Sequence, residues 1–118
     1  MSREIKFRTW LPFEKRMAYE IEKSRFLNET IANTKHENIS CVLMQYTGLH
    51  DANGKEIYEG DILFEMSDSD NRFVVKWDDN EALFYIEKPD SEFYTFGDVN
   101  SDWYEVHGNI YQHPELMR

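Results

Sequence analysis

The sequence has only one cysteine, Cys41, among its 118 residues, so an intramolecular disulfide is excluded and a reducing compartment is expected. Cys41 lies in an apolar run, where we expect a small buried side chain rather than a nucleophile. Long apolar runs are also missing, since none approaches the roughly 20 residues that cross a bilayer. The charged start, residues 1–10, lacks the apolar core of a signal peptide. We therefore expect a cytoplasmic protein without a membrane segment.

Positive charge is scarce, because 13 lysines and arginines accompany 23 aspartates and glutamates and leave a net charge of −10. Residues 59–105 hold fourteen of the acidic residues against three basic ones, whereas residues 1–35 hold eight basic residues against five acidic ones. An acidic body repels phosphate backbones, so general binding to nucleic acid is not expected. The acidic surface either keeps the domain soluble or lets the two ends attract each other, within one chain or between copies.

Recognisable metal-binding, phosphate-binding and catalytic patterns are missing as well. Residues 68–79 begin like a calcium loop, but Phe73 occupies the sixth position, where glycine is required. A phosphate loop at Gly54 fails because Glu56 stands where Ser or Thr would hold magnesium. The histidines share no metal-ligand spacing with one another or with the cysteine: His36, His50, His107 and His113. We expect no metal, no cofactor and no catalytic residue, and hence no enzyme.

Aromatic residues are abundant instead, with Phe 8, Tyr 7 and Trp 3, and they come in short bursts that favour sheet. Alternation predicts a hairpin of residues 5–10 and 16–22 around the loop 11–15. Residues 24–40 are predicted as a loop with a short helix or an irregular strand. The remaining predictions are strands at 39–46, 62–66, 73–77, 83–86 and 103–106, a strand or a loop at 93–96, a polar tip at 67–71 and a turn at 108–111.

Short strands with polar tips, which follow one another from Gly60 onward, are typical of SH3-like barrels. We therefore predict a mainly β fold with minor α. An N-terminal β-hairpin region precedes an SH3-like small barrel in the C-terminal two-thirds of the chain. The chain is expected to form a single domain, residues 1–118, in which 1–43 hold the hairpin and an irregular segment and 44–118 hold the barrel-like part.

The densest turn signals lie in the stretch 44–63 and in the closing segment near residue 108. Glycines there permit backbone angles closed to other residues, and Asp51 and Asn53 can cap nearby backbone donors. Glu59 and Asp61 flank Gly60 and are expected to accept from backbone amides at the strand entry. A fold-defining turn is favoured over a binding surface. The candidate residues are Tyr46, Gly48, Asp51, Asn53, Gly54, Tyr58, Glu59, Gly60, Asp61, Gly108, Asn109 and Tyr111.

Three segments of the sequence, residues 3–17, 44–62 and 105–116, resemble the opening, the hallmark centre and the closing segment of the YopX family of phage and prophage proteins. The resemblance spans the whole chain. It departs from the family at Leu11-Pro12, which we expect to alter only a hairpin loop, and at His107, which is therefore expected to face outward. The family implies a mostly β fold with a barrel-like C-terminal part, and it brings no established activity, cofactor or catalytic residue.

Three functions follow from these observations. The first is a small phage-encoded binding or assembly module that acts through protein–protein contacts, with a protein partner from the bacterial host or phage or with further copies of itself. The second is an acidic decoy that mimics DNA and occupies a host DNA-binding protein. The third is a binder of single-stranded nucleic acid through the N-terminal hairpin, where arginines stand beside aromatic rings: Arg3, Arg8, Arg16, Phe7 and Trp10. We favour the first function.

Overall fold

A computed structural model describes residues 4–20 and 42–117 of the protein. The described residues contain nine β-strands and two short 3-10 helices, Ser101–Trp103 and Pro114–Met117. The mainly β prediction is confirmed. The strands are β1 (Phe7–Leu11), β2 (Arg16–Tyr19), β3 (Val42–His50), β4 (Glu56–Tyr58), β5 (Asp61–Glu65), β6 (Asp68–Asp78), β7 (Leu83–Glu87), β8 (Phe93–Thr95) and β9 (Tyr104–Asn109).

The strands form two antiparallel sheets, one of four strands in the order β2-β1-β3-β4 and one of five in the order β8-β7-β6-β5-β9. The chain divides into two compact units at Tyr46/Thr47, so that β3 contributes residues to both. The predicted single domain, with its two parts meeting at 43/44, stays a prediction. The predictions for Cys41, His36 and residues 24–40 lie outside the described residues.

The predicted N-terminal hairpin is confirmed, with β1 and β2 paired from Arg8↔Tyr19 to Leu11↔Arg16. The predicted alternation of inward and outward side chains is wrong at two positions, because Ile5 is exposed while Arg8 is only 2% exposed. Ile5 precedes the first residue of β1, and Arg8 lies directly opposite Tyr19 in the β1–β2 pair. The Arg8 guanidinium lies over the Tyr19 ring, 6.0 Å from its centroid.

The second sheet is a meander, β5 to β8, whose first strand also pairs with the last strand, β9. It curls into a half-barrel, which is the form that the SH3-like part takes. Buried side chains from β4, β5, β6, β7 and β9 form the core: Ile57, Leu63, Phe73, Val75, Ile86 and Tyr104. The Phe73 and Tyr104 rings meet edge to face, with centroids 5.4 Å apart.

Three strands extend by three or more residues beyond their predicted bounds. Residues 68–70, predicted as part of a polar tip, belong to β6. The Glu65 carboxylate supports the tight turn before them, because it accepts from the Ser67 hydroxyl at 3.0 Å and from the Asn71 side-chain amide at 2.8 Å. Strand β9 extends to Asn109 because it pairs with β5 as far as Asp61↔Asn109. Strand β3 extends past residue 46 to His50, alongside β4.

Within the described ranges, 4–20 and 42–117, none of the helical segments has the length and hydropathy required to cross a membrane.

Candidate functional site

Asp51 is the centre of the first turn of the candidate region, and its carboxylate is only 4% exposed. One oxygen, Oδ1, accepts from the backbone amides of Asn53 and Lys55, each at 2.9 Å. The other, Oδ2, accepts from the amide of Val106 on β9 at 2.8 Å. A buried carboxylate needs such donors to offset its lost hydration. Asp51 therefore shapes the turn and fixes it to the last strand at the same time.

Backbone hydrogen bonds around Asp51 also close the turn and also attach it to the segment of β9. The Asp51 amide donates to the Lys55 carbonyl at 2.8 Å and the Gly54 amide donates to the Asp51 carbonyl at 3.0 Å, so the turn is closed from both ends. The Ala52 amide donates to the carbonyl of Tyr104 at 2.9 Å. Asn53 was predicted to cap a backbone donor, and the contact of its side chain is instead a hydrogen bond from Nδ2 to the Glu105 carboxylate at 2.9 Å.

The second turn, at residues 58–61, leads into β5. The Asp61 carboxylate, buried like that of Asp51, accepts from the Tyr58 amide at 2.7 Å, as predicted for a strand-entry acid. Gly60 has φ +88°, a conformation that favours glycine, and its amide donates to the Val75 carbonyl at 2.8 Å. Its carbonyl accepts from the Ile110 amide at 3.0 Å, so this turn also contacts the closing segment.

Asn109 organises the third turn, residues 110–112, and is buried at the end of β9. Its side-chain oxygen accepts from the amides of Tyr111 at 3.0 Å and Gln112 at 2.9 Å. Its side-chain nitrogen donates to the Gln112 side chain at 2.7 Å. The His113 ring then closes over Gly108, where an added Cβ would lie 2.5 Å from Nδ1. The closing segment therefore depends on Gly108 and Asn109, two predicted residues that the structure brings together.

The other candidate residues also lie in these turns or beside them. Positive φ angles are found at Gly48 and Gly54, as predicted, and Tyr46 and Tyr58 are buried rather than presented at the surface. The role predicted for Glu59 stays a prediction. Within residues 4–20 and 42–117, no three His, Cys, Asp or Glu side chains come together as metal ligands would. The buried carboxylates of the candidate region, those of Asp51 and Asp61, accept from backbone amides. The preference for a fold-defining turn over a binding surface stays a prediction.

A different surface, on the outer face of β7 and β8, carries apolar side chains exposed to solvent. Leu83, Tyr85 and Phe93 line a groove of about 410 Å³, and the Phe93 side chain is 62% exposed. The rings of Tyr85 and Phe93 meet edge to face, with centroids 5.8 Å apart. Carboxylates lie along the same groove: Asp78, Glu81 and Glu87. We call this surface the acidic groove.

A second exposed cluster lies where the β5–β6 turn meets the first 3-10 helix. Met66 and Trp103 are both more than half exposed, and the Met66 amide donates to the Trp103 carbonyl at 2.9 Å. Together with Glu65, Ser67 and Asp102 they line a depression of about 450 Å³. Its lining contains two apolar residues, Met66 and Trp103.

Two tyrosines near the core have perturbed protonation equilibria. Burial raises the pKa of Tyr104 above its ordinary value, and the nearby charge of Glu65 adds to the shift. The pKa of Tyr94 is raised because its hydroxyl donates to the Glu92 carboxylate. Both tyrosines are neutral at physiological pH, so neither is prepared to act as a base.

The family model of the YopX protein matches residues 6–118. The chain belongs to the YopX family. The crystal structure of protein EF1440 from Enterococcus faecalis superposes with a TM-score of 0.69 at 26% identity, covering 99% of this chain and 100% of that one. The X-ray structure of the protein yopX from Bacillus subtilis superposes with a TM-score of 0.51 at 17% identity, covering 96% and 98%. No curated protein matches the chain.

The YopX motifs and the acidic groove were not equally visible in the sequence. The motif residues could be identified because they form turns, and turn-forming residues are recognised from a few neighbouring positions in the sequence. The groove was missed, although residues 83–87 give one signal for it: four apolar residues in succession place apolar side chains on both faces of β7. His107 is exposed as predicted and stacks on Phe64, with centroids 4.2 Å apart.

Proposed function

We propose that this YopX-family chain is a small, non-enzymatic binding module that acts in the bacterial cytoplasm, as part of a phage or prophage, through contacts with a protein partner. The observation that supports the proposal most is the acidic groove. An antiparallel sheet with its core on one side normally carries polar side chains on the other. The outer face of β7 and β8 instead presents Leu83, Tyr85 and Phe93.

The composition of the groove suits a protein partner. Exposed aromatic rings beside aliphatic side chains are typical of interaction surfaces, and aromatic residues supply much of the binding energy at such surfaces. The turn carboxylates Asp51 and Asp61 support a non-enzymatic role, because backbone amides already occupy them. Arg8, one of the arginines of the N-terminal hairpin, is buried, which weakens the case for a nucleic-acid site there.

The proposal is tested by affinity capture from nuclease-treated bacterial lysate, using the wild-type chain, Phe93→Ser and a matched control, Phe13→Ser. Phe13 lies in the hairpin loop and is 84% exposed, so the control removes an aromatic ring as accessible as Phe93. We expect a specific partner that is retained at high salt, that Phe93→Ser loses and that Phe13→Ser keeps.

Other results of this capture would point elsewhere. A single DNA-binding protein that is released at high salt, and that Phe93→Ser retains, would favour the acidic decoy. Recovery of the chain only with copies of itself would favour self-assembly. A partner bound equally by all three proteins would contradict the role of the groove.

A further inference from the structure

We infer that the acidic groove takes a basic and apolar segment of a partner protein, which carries lysine or arginine side chains together with aliphatic ones. The inference rests on the proposed function and names the class of partner for the same surface. Two features of the groove carry it: the cross-strand arrangement of its apolar floor and the sign of the charge along its edge.

The floor of the groove is continuous across two strands. In the β7–β8 pair, Tyr85 lies directly opposite Thr95 and Glu87 lies directly opposite Phe93. The side chains of these four residues therefore share one face of the sheet. Leu83 lies two residues before Tyr85 on β7 and therefore faces the same way. Because β8 is an outermost strand of its sheet, the floor reaches the sheet edge. The floor offers a strip of apolar surface rather than isolated side chains.

The edge of the groove has one sign of charge. Its described lining contains three carboxylates, Asp78, Glu81 and Glu87, and neither lysine nor arginine. Lys76, on the neighbouring strand β6, forms an ion pair with Glu87 at 2.6 Å and offsets that charge. Asp78 accepts from the Asn80 amide at 2.8 Å, which orders the carboxylate. Asp78 and Glu81 therefore provide a net negative edge.

Two electrostatic effects, one at short range and one at long range, favour a positively charged partner. Close to the groove, cations opposite Asp78 and Glu81 gain Coulomb attraction, whereas carboxylates would be repelled. At longer range, the excess of eleven negative charges in residues 59–105 raises the rate at which a basic segment arrives. The volume of about 410 Å³ lies within the range of ligand-binding clefts, which suits a few side chains of a short segment.

The test is an NMR titration of the full chain with three synthetic octapeptides that alternate Lys with Val, Glu with Val, and Lys with Ser. For the Lys-Val probe we expect saturable shift changes concentrated in residues 78–87 and 93–95. The Glu-Val probe should not bind, and the Lys-Ser probe should bind about tenfold more weakly, since it lacks the apolar contacts.

Three variants then separate the apolar and the charge contributions. Phe93→Ser should weaken the Lys-Val probe about tenfold, because it removes an aromatic contact. Glu81→Lys should weaken it severalfold, with most of that difference lost at high salt. Asp70→Lys is the matched control, since Asp70 is exposed on β6 outside the groove and the variant changes net charge equally. It should have less than about a twofold effect.

The outcomes distinguish this inference from the proposed function. Equal weakening by Glu81→Lys and Asp70→Lys would show diffuse attraction to an acidic surface and overturn the inference. Binding of the Glu-Val probe as tight as that of the Lys-Val probe would also overturn it, while leaving an apolar docking surface. Absence of binding by every probe overturns the inference too, and the lysate capture with Phe93→Ser then decides the proposed function separately.

Discussion

Asp51 combines, in a single side chain, a local and a long-range role. Its contacts with Asn53 and Lys55 could be anticipated, since an aspartate before Asn-Gly commonly caps the amides that follow it. Its contact with Val106 joins residues 55 positions apart and depends on where β9 lies. The sequence therefore predicted the turn correctly and could not predict what the turn is attached to.

Asp51→Asn is predicted to destabilise the protein by about 2–4 kcal/mol. The asparagine amide presents hydrogens to at least one of the three backbone amides that now donate to the carboxylate, which leaves that donor without its acceptor. Urea unfolding followed by tryptophan fluorescence measures the change. Asp68→Asn is the control, because Asp68 is exposed and accepts from one amide at 3.1 Å, and it should cost less than about 1 kcal/mol. Equal losses for the two variants would contradict the central role of Asp51.

The raised pKa of Tyr104 predicts a loss of stability in alkali. Because burial favours the neutral phenol, the unfolded chain releases this proton near its ordinary pKa of about 10 while the folded chain keeps it. The contribution is therefore fully present below about pH 10 and is lost as the pH rises through the raised pKa. The free energy of unfolding should fall less steeply above about pH 10 in Tyr104→Phe than in the wild type. Identical slopes would refute the prediction.

At the scale of the elements, β9 and the turn that follows it form one assembly around Gly108. The strand pairs with β5 up to Asn109, and the chain then reverses so that His113 returns to the strand. The amide of Asn109 donates to Nδ1 of His113 at 3.3 Å, and the amide of His113 donates to the carbonyl of Asn109 at 2.8 Å. The absence of a side chain at Gly108 is what allows the imidazole to lie this close.

Gly108→Ala is predicted to destabilise the protein by about 1–3 kcal/mol, because the new methyl group would occupy the position of the His113 ring. A double-mutant cycle with His113→Ala tests the cause. Removing the imidazole should make Gly108→Ala less costly, with a coupling energy of about 1 kcal/mol. Additive losses in the double variant would show that the cost comes from the backbone at Gly108 alone. Thermal unfolding by circular dichroism gives all four stabilities.

Strand existence was easier to predict than strand length, and β6 shows why. Its centre, residues 73–77, is apolar and β-prone, whereas its beginning, Asp68-Ser69-Asp70, has the composition of a loop. Asp68 pairs with Glu65 across a two-residue turn, and the register shift between Phe64 and Glu65 accommodates the polar residues that follow it. The acidic groove escaped prediction for a related reason, because Phe93 joins Leu83 and Tyr85 only through the β7–β8 register.

For the molecule as a whole, the excess of negative charge predicts a stability that rises with salt. Residues 59–105 all belong to the second compact unit and carry fourteen acidic residues against three basic ones, so folding brings like charges together. Raising NaCl from about 0.01 M to about 0.15 M shortens the Debye length from about 30 Å to about 8 Å. We expect the Tm to rise by a few degrees, which corresponds to about 1 kcal/mol.

Glu81→Gln provides a matched check on this prediction. It removes one negative charge at an exposed position, and it should raise the Tm at low salt but have little effect at high salt. A Tm that falls as NaCl is added would indicate that favourable ion pairs, such as Lys76–Glu87, outweigh the repulsion.

The position of β5 between β6 and β9 constrains the order of events during synthesis on the ribosome. β6 follows β5 at once, but β9 is translated about forty residues later. Until then, one edge of β5 has backbone groups without their final partners, and such edges recruit strands from other chains. The half-barrel is therefore completed only after residues 104–109 leave the exit tunnel. Slow translation of the segment between the strands would prolong the interval in which nascent chains can pair with each other.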